Sequence, residues 1–166
     1  MTVDSYAFLP RAFRAMYEAA PQHDHEPVWT SFDKPLSEAR IGLLSSAGMF
    51  LAGEQEPFDV ERERREPTWG DPTLRVIPND LTQSQIDATH LHLNTADFLA
   101  DMNVALPIER LAELVNDGTV GSAAPEHYSV MGFQQEGAEV WRTRTGPEIA
   151  ARCHAADIDA LILAPA

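Results

Sequence analysis

Six histidines fall in this 166-residue chain as His23/His25, His90/His92, His127 and His154. Two of these groupings are H-x-H pairs. If Thr89–Leu93 is extended, alternation sends Leu91 to one face and both His90 and His92 to the other, which puts two imidazoles within metal-binding reach. A third ligand from His127 or Asp101 would complete a zinc or iron triad. The competing reading makes His90 and His92 polar strand residues hydrogen-bonded at a cleft. Asp101, Asn103 and Arg110 gather an acid, an amide and a guanidinium around one predicted helix start, a place suited to holding a carboxylate. Against that, Arg110 would simply pair with Glu113 or Asp101 at the surface while Asn103 caps a turn. The small residues Gly121, Ser122, Ala123 and Ala124 let backbone approach a ligand, and His127 with Tyr128 would supply a proton donor and acceptor. Tyr128 packing a loop is the alternative there. Cys153 lies inside a predicted helix, away from the N-terminal dipole that would activate a thiolate, and reads as packing.

These side chains need a frame. Apolar residues at i, i+3, i+4 spacing predict an amphipathic helix over Phe8–Ala20, followed by a loop over Gln22–Pro35 whose Trp29 and Phe32 would pack it onto a body. The apolar run within Ala39–Met49 predicts a first buried strand feeding a tight turn. Leu51–Pro72, rich in Glu, Asp, Arg and Pro, reads as a solvated excursion. Leu74–Pro78 predicts a second strand, and Thr82–Gln85 a short helical turn. Pro107 starts a helix with Ile108, Leu111, Leu114 and Val115 as its buried stripe and Gly118 at its end. A further helix is predicted over Pro147–Ala156, and Asp157–Ala164 as a buried, parallel-type strand delivering Pro165 and Ala166 to a loop. Strands alternating with helices predict an α/β fold: an open, mainly parallel sheet with helices packed on its faces. Sites in such sheets form outside the carboxyl ends of the strands. The expected organisation is a helical, wrapping arm over residues 1–35 and one α/β domain over 36–166.

Twelve Lys and Arg against 26 Asp and Glu leave a net charge of −14, which argues against a nucleic-acid or anionic-membrane partner. Hydrophobic residues make up 44% and charged residues 23%, as in a globular protein, and no apolar run is long enough to span a bilayer. The N-terminus lacks an apolar signal-peptide core. One cysteine excludes an internal disulfide and fits a reducing cytoplasm.

Six phrases in order carry a resemblance: WTSFDKPLSEARIGLLSSAG (29–48), DPTLRVIP (71–78), THLH (89–92), DMNVALPIERL (101–111), GTVGSAAPEHYSVMGF (118–133) and DIDALILAPA (157–166). Together they resemble the selenoprotein B family of glycine, sarcosine, betaine and D-proline reductases. The resemblance implies an α/β subunit of a hetero-oligomeric reductase that cleaves a carbon–nitrogen bond in a small polar substrate, beside a partner subunit bearing a pyruvoyl group. It also implies a cysteine or selenocysteine directly after the final apolar strand. That position lies beyond Ala166, so the attacking atom is expected from outside the 166 residues, and turnover by the chain alone is not expected. On the matching segments His90, His92, His127 and Asp101 are the catalytic candidates, and Asn103, Arg110, Ser122 and Tyr128 the substrate-binding ones, with Arg110 on a carboxylate. No cofactor bound by the chain itself is expected. The alternatives are a metal protein using His90, His92 and His127 with zinc or iron, and a non-catalytic module whose acidic surface meets a basic partner.

Overall fold

The computed structural model describes Arg11, Arg14, Ala15 and residues 30–134 and 138–166. The chain divides into Met1–Ser31 and a compact unit, Phe32–Ala166. Arg11, Arg14 and Ala15 are helical. The rest of the expected Phe8–Ala20 helix, His23, His25 and Trp29 lie outside the described residues.

In the larger unit the first strand, β1 (Arg40–Ser45), is central. Its sequence RIGLLS buries both faces, which is why it lacks the polar alternation of a half-wet strand. One edge of β1 pairs in parallel with β7 (Ala160–Ala164) over five residues, Ile41 opposite Ala160 through Ser45 opposite Ala164. The other edge pairs in parallel with β5 (Ser122–Ala123) and then β6 (Glu126–Ser129), two pieces of one line interrupted at Ala124 and Pro125. β3 (Arg75–Pro78) closes that side antiparallel to β6. A separate two-stranded ribbon joins β2 (Met49–Leu51) to β4 (Ile86–Ala88).

Alternation along β1 divides the core into two layers. Ile41 and Leu43 join Ile77, Phe98, Leu106 and Leu111 on the face covered by α2 (Ala96–Ala100) and α3 (Ile108–Asn116). Leu44 joins Tyr128, Val130, Leu161 and Ile149 on the opposite face. There α4 (Ala138–Val140) runs through a π-helical turn, Trp141–Thr145, into α5 (Gly146–Ala155). The result is the expected α/β arrangement, a mostly parallel sheet with helices on both faces.

Three local expectations need correction. Thr89–Leu93 is a bend after β4 rather than a strand, because Thr89 N–H is drawn to the Gly48 carbonyl at 3.0 Å and the ribbon stops there. The acidic excursion contains a helix, α1 (Val60–Arg65), whose cap Asp59 accepts the Arg62 N–H at 2.9 Å and which buries Glu63. Finally, β7 is parallel but is an edge strand: Ile162 and Leu163 are 49% and 63% exposed. Among the described residues no helix is long and apolar enough to cross a membrane.

Candidate functional site

The carboxyl ends of β1, β6 and β7 point to one side of the sheet, and short polar devices hold the loops that leave them. At the end of β1 the Ser45 hydroxyl accepts the Ala47 N–H at 3.2 Å, and the Ser129 hydroxyl accepts that of Met49 at 2.9 Å. Gly48 turns the chain with φ +66°, and its Cα lies so close to the Thr89 carbonyl that a Cβ would collide with it. Glycine is required there on both counts. Beyond β7, the Ala166 N–H donates to Ser46 Oγ at 2.8 Å. This contact ties residue 166 to the end of the central strand. Around it Leu44, Ser46, Gly132, Trp141, Leu163 and Ala164 line a hollow of about 420 Å³. Pro165 and Ala166 are exposed at its rim.

The Thr89–Gly48 bond ties the bend that carries the H-x-H pair to the turn after β1. His90 Nδ1 accepts the His92 backbone N–H at 3.1 Å, which places the ring hydrogen on Nε2. That Nε2 is buried without a partner. Burial, then the neighbouring His92, push the His90 pKa down to about 4, so its ring is neutral at pH 7. The His92 ring is exposed, meets His90 edge-on with centroids 5.9 Å apart, and lies 5.0 Å from the Phe133 ring beyond β6.

Tertiary packing adds a residue that the sequence reading passed over. Glu63 is 3% exposed, and neither carboxylate oxygen has a hydrogen-bond partner. Burial raises its pKa, opposed first by the charge of His92. The Asp71 backbone N–H lies nearby but does not complete a hydrogen bond with it. The segment after α1 is latched to the His92 side of the molecule. The Gln134 amide donates to the Asp71 carbonyl at 2.9 Å, and Gly70 abuts the Phe133 carbonyl so closely that any side chain would clash. Glu63 sits three residues after Val60, on the same helix face, but in a run of Glu and Arg that alone marks no buried side.

The remaining candidates are not gathered here. His127 is fully buried in β6 and both ring nitrogens are engaged. Nδ1 accepts the Leu43 N–H at 3.2 Å, and Nε2 donates to Asn79 Oδ1 at 3.0 Å. Pro125 interrupts the strand beside β1, and the imidazole supplies the acceptor that the broken ladder lacks. Burial holds its pKa at about 4. His127 is therefore a neutral sheet-binding ring, not a free proton carrier. Tyr128 is likewise buried, its hydroxyl donating to Glu126 Oε1 at 3.2 Å, with desolvation pushing its ionisation upward. Cys153 packs on that cluster, and burial raises its thiol pKa, in keeping with a packing role. Ser122 Oγ accepts the Arg40 Nε–H at 3.4 Å.

Asp101, Asn103 and Arg110 form a separate exposed group at the start of α3. Asp101 accepts both the backbone and the side-chain N–H of Asn103, and Asn103 in turn bridges to Glu109 at 2.8 Å. Arg110 pairs with Glu113 at 2.9 Å and Glu109 at 3.7 Å. The cap-and-surface-pair reading describes this group. The metal triad does not form either. No group of three His, Cys, Asp or Glu among the described residues is arranged to hold an ion. His90 Nδ1 and both His127 nitrogens are already used.

The family model for glycine/sarcosine/betaine reductase selenoprotein B matches residues 11–166. The chain belongs to that family. It is similar to D-proline reductase subunit gamma of Acetoanaerobium sticklandii, 28% identical over 137 residues that cover 82% of this chain and 52% of the relative. The chain thus spans about half the length of that curated relative. No solved structure matches it. In this selenoprotein B family member the end of the central strand and the Ala166 tether meet at one hollow.

Proposed function

We propose that this chain forms the substrate-side part of a reductase subunit that cleaves a carbon–nitrogen bond in a small polar substrate, in a hetero-oligomer with a pyruvoyl-bearing partner. The attacking thiol or selenol would belong to the residue directly after Ala166. The observation that carries this reading is the tether from the Ala166 N–H to Ser46 Oγ, which fixes the end of β7 at the rim of the hollow beside the central strand. A nucleophile at the carboxyl end of a parallel strand faces the crevice where loops converge, and can be activated there. The hollow is mainly apolar, and His90, on the bend tied to the turn after β1, is a neutral ring whose buried Nε2 hydrogen has no partner within the protein. Bond cleavage of this class needs two electrons, delivered by the attacking atom and a resolving thiol that end joined to each other, and two protons, one for the departing amine and one for the carbon it leaves. The chain's own contribution is the shape of the crevice and the Ser46 hydroxyl that ties its rim.

The test uses the complete polypeptide assembled with its partner subunits. The residue following Ala166 is set as selenocysteine, cysteine or serine, and reductive cleavage of D-proline, glycine, sarcosine and betaine is followed with a dithiol reductant. Turnover with selenocysteine or cysteine and none with serine is expected. Equal turnover with serine would overturn the reading.

A further inference from the structure

β7 is built like an interior strand but stands at the edge of the sheet. Its sequence ALILA carries no polar side chain, as in strands covered on both faces. Among the described residues it pairs with β1 alone, so its outer edge presents a row of unpaired backbone groups. The register sets where its exposed side chains point. Ile162 lies opposite Leu43, on the face covered by α2 and α3, and Leu163 lies opposite Leu44, on the face covered by α5. Both are exposed. Apolar surface is therefore left on both faces of one strand and along its edge. A helix laid on one face would cover only one of the two side chains, whereas a further strand beside β7, with the connection that leads to it, reaches both.

The connections within the sheet show from which side such a strand arrives. From β1 the chain reaches β5 and β6 on one side by way of α3, which packs on the Leu43 face. From β6 it returns across β1 to β7 by way of α5, which packs on the Leu44 face. Direction and face reverse together, so the two parallel crossovers have the same hand, as such connections nearly always do. A third crossover leading outward from β7 keeps that hand only on the Leu44 face, beside α5 and over Leu163. We propose that the polypeptide following Ala166 makes this crossover, lying first over Leu163 and then adding a parallel strand to the open edge of β7. The inference rests on the reading in which the same polypeptide continues past Ala166 with the attacking residue. Length permits it. The matched stretch is 52% of D-proline reductase subunit gamma, which leaves nearly as many residues again, and a parallel crossover needs about a dozen or more. A second copy of this chain suits the edge poorly. Two-fold pairing of β7 with itself is antiparallel, spans one short strand, and joins two chains each of charge −14. Because Leu163 also lines the hollow at Ala166, the crossover roofs the crevice and places the attacking residue beneath a segment of its own chain.

Two measurements on the complete polypeptide, with cysteine after Ala166, test this. In hydrogen exchange without partner subunits, the outward-facing β7 amides are expected to exchange at least about a hundredfold more slowly than an open edge allows, equally at high and at roughly tenfold lower protein concentration. In cross-linking, a benzophenone-bearing residue replaces Leu163 or Ile162 in an equal mixture of heavy-isotope and ordinary chains. Capture within one chain of residues beyond 166 is expected from both positions, with the segment just after Ala166 captured from 163 and not from 162. Exchange is read on the unsubstituted polypeptide, so it stands even where a bulky residue at 163 disturbs the fold. Fast exchange of those amides, or protection that arises only at high concentration or only once partner subunits are added, would overturn the inference. So would capture that joins two chains, or capture of the first segment from 162 instead of 163. Neither measurement uses turnover. Equal cleavage with serine after Ala166 would therefore remove the reductase reading, while strand addition is judged by exchange and capture alone.

Discussion

Replacing His127 with phenylalanine, a ring of similar outline, isolates what the imidazole does in the sheet. The change removes the acceptor for the Leu43 N–H, and Leu43 is 1% exposed, so that donor is left buried without a partner. A buried, unsatisfied backbone donor costs about 1–3 kcal/mol. Asn79 is only half-buried and can turn to water, so it adds little. At pH 7 H127F should therefore unfold with about 2 kcal/mol less free energy, a fall of roughly 6 °C in melting temperature for a domain of this size. The pH dependence sharpens the test. His127 is held at about 4 by burial, against an ordinary 6.5. Its folded pKa is depressed, so its contribution is complete above pH 6.5. It is lost as pH falls toward 4, because the unfolded chain takes up a proton that the folded ring refuses. The gap corresponds to about 3 kcal/mol. H127F lacks this loss, while His90, depressed in the same window, remains in both proteins and cancels in their difference. Urea titrations of the two proteins at several pH values between 7.5 and 4 should converge, with H127F the less stable at neutral pH and no less stable near pH 4. Parallel stability curves across that range would refute the assignment of His127 as a neutral sheet-binding ring.

Other substitutions probe the crevice and its supports. D59A removes the cap that accepts the Arg62 N–H at 2.9 Å and should cost about 1 kcal/mol in chemical unfolding; no loss would mean that α1 is held by packing alone. G48A forces a side chain into a left-handed turn and against the Thr89 carbonyl, so it should destabilise by about 1–3 kcal/mol and shift the His90 and His92 NMR signals. R110M breaks exposed pairs with Glu109 and Glu113 and should change unfolding free energy by less than about 0.5 kcal/mol, as for ordinary surface ion pairs.

Element positions were readable where one local rule sufficed. The apolar run in RIGLLS, the proline before Ile108, the glycine at 118 and the proline after Ile77 each mark a boundary, and β1, α3 and β3 lie there. The bend at Thr89–Leu93 was not readable, because alternation of His and Leu satisfies a strand template equally well. What decides against a strand is a hydrogen bond to Gly48, 41 residues earlier in the sequence. α1 was hidden for a different reason: its charged residues outnumber its apolar ones, and only the packing of one carboxyl inward distinguishes it from a wet loop.

The same division holds for the chemistry. Sequence alone supplied the family, through six ordered phrases, and the prospect of a crevice at strand ends, since residue types and their order survive without coordinates. It also supplied the inventory of imidazoles and carboxyls. Tertiary structure decided which of them are already spent. His127 mends a strand broken at Pro125, Arg110 and Asn103 satisfy their own helix start, and the bend carrying His90 and His92 is tied to the turn after the central strand. Whether a polar side chain is free to act depends on its hydrogen-bond partners and its distance from water, and both are set by segments far away in the sequence.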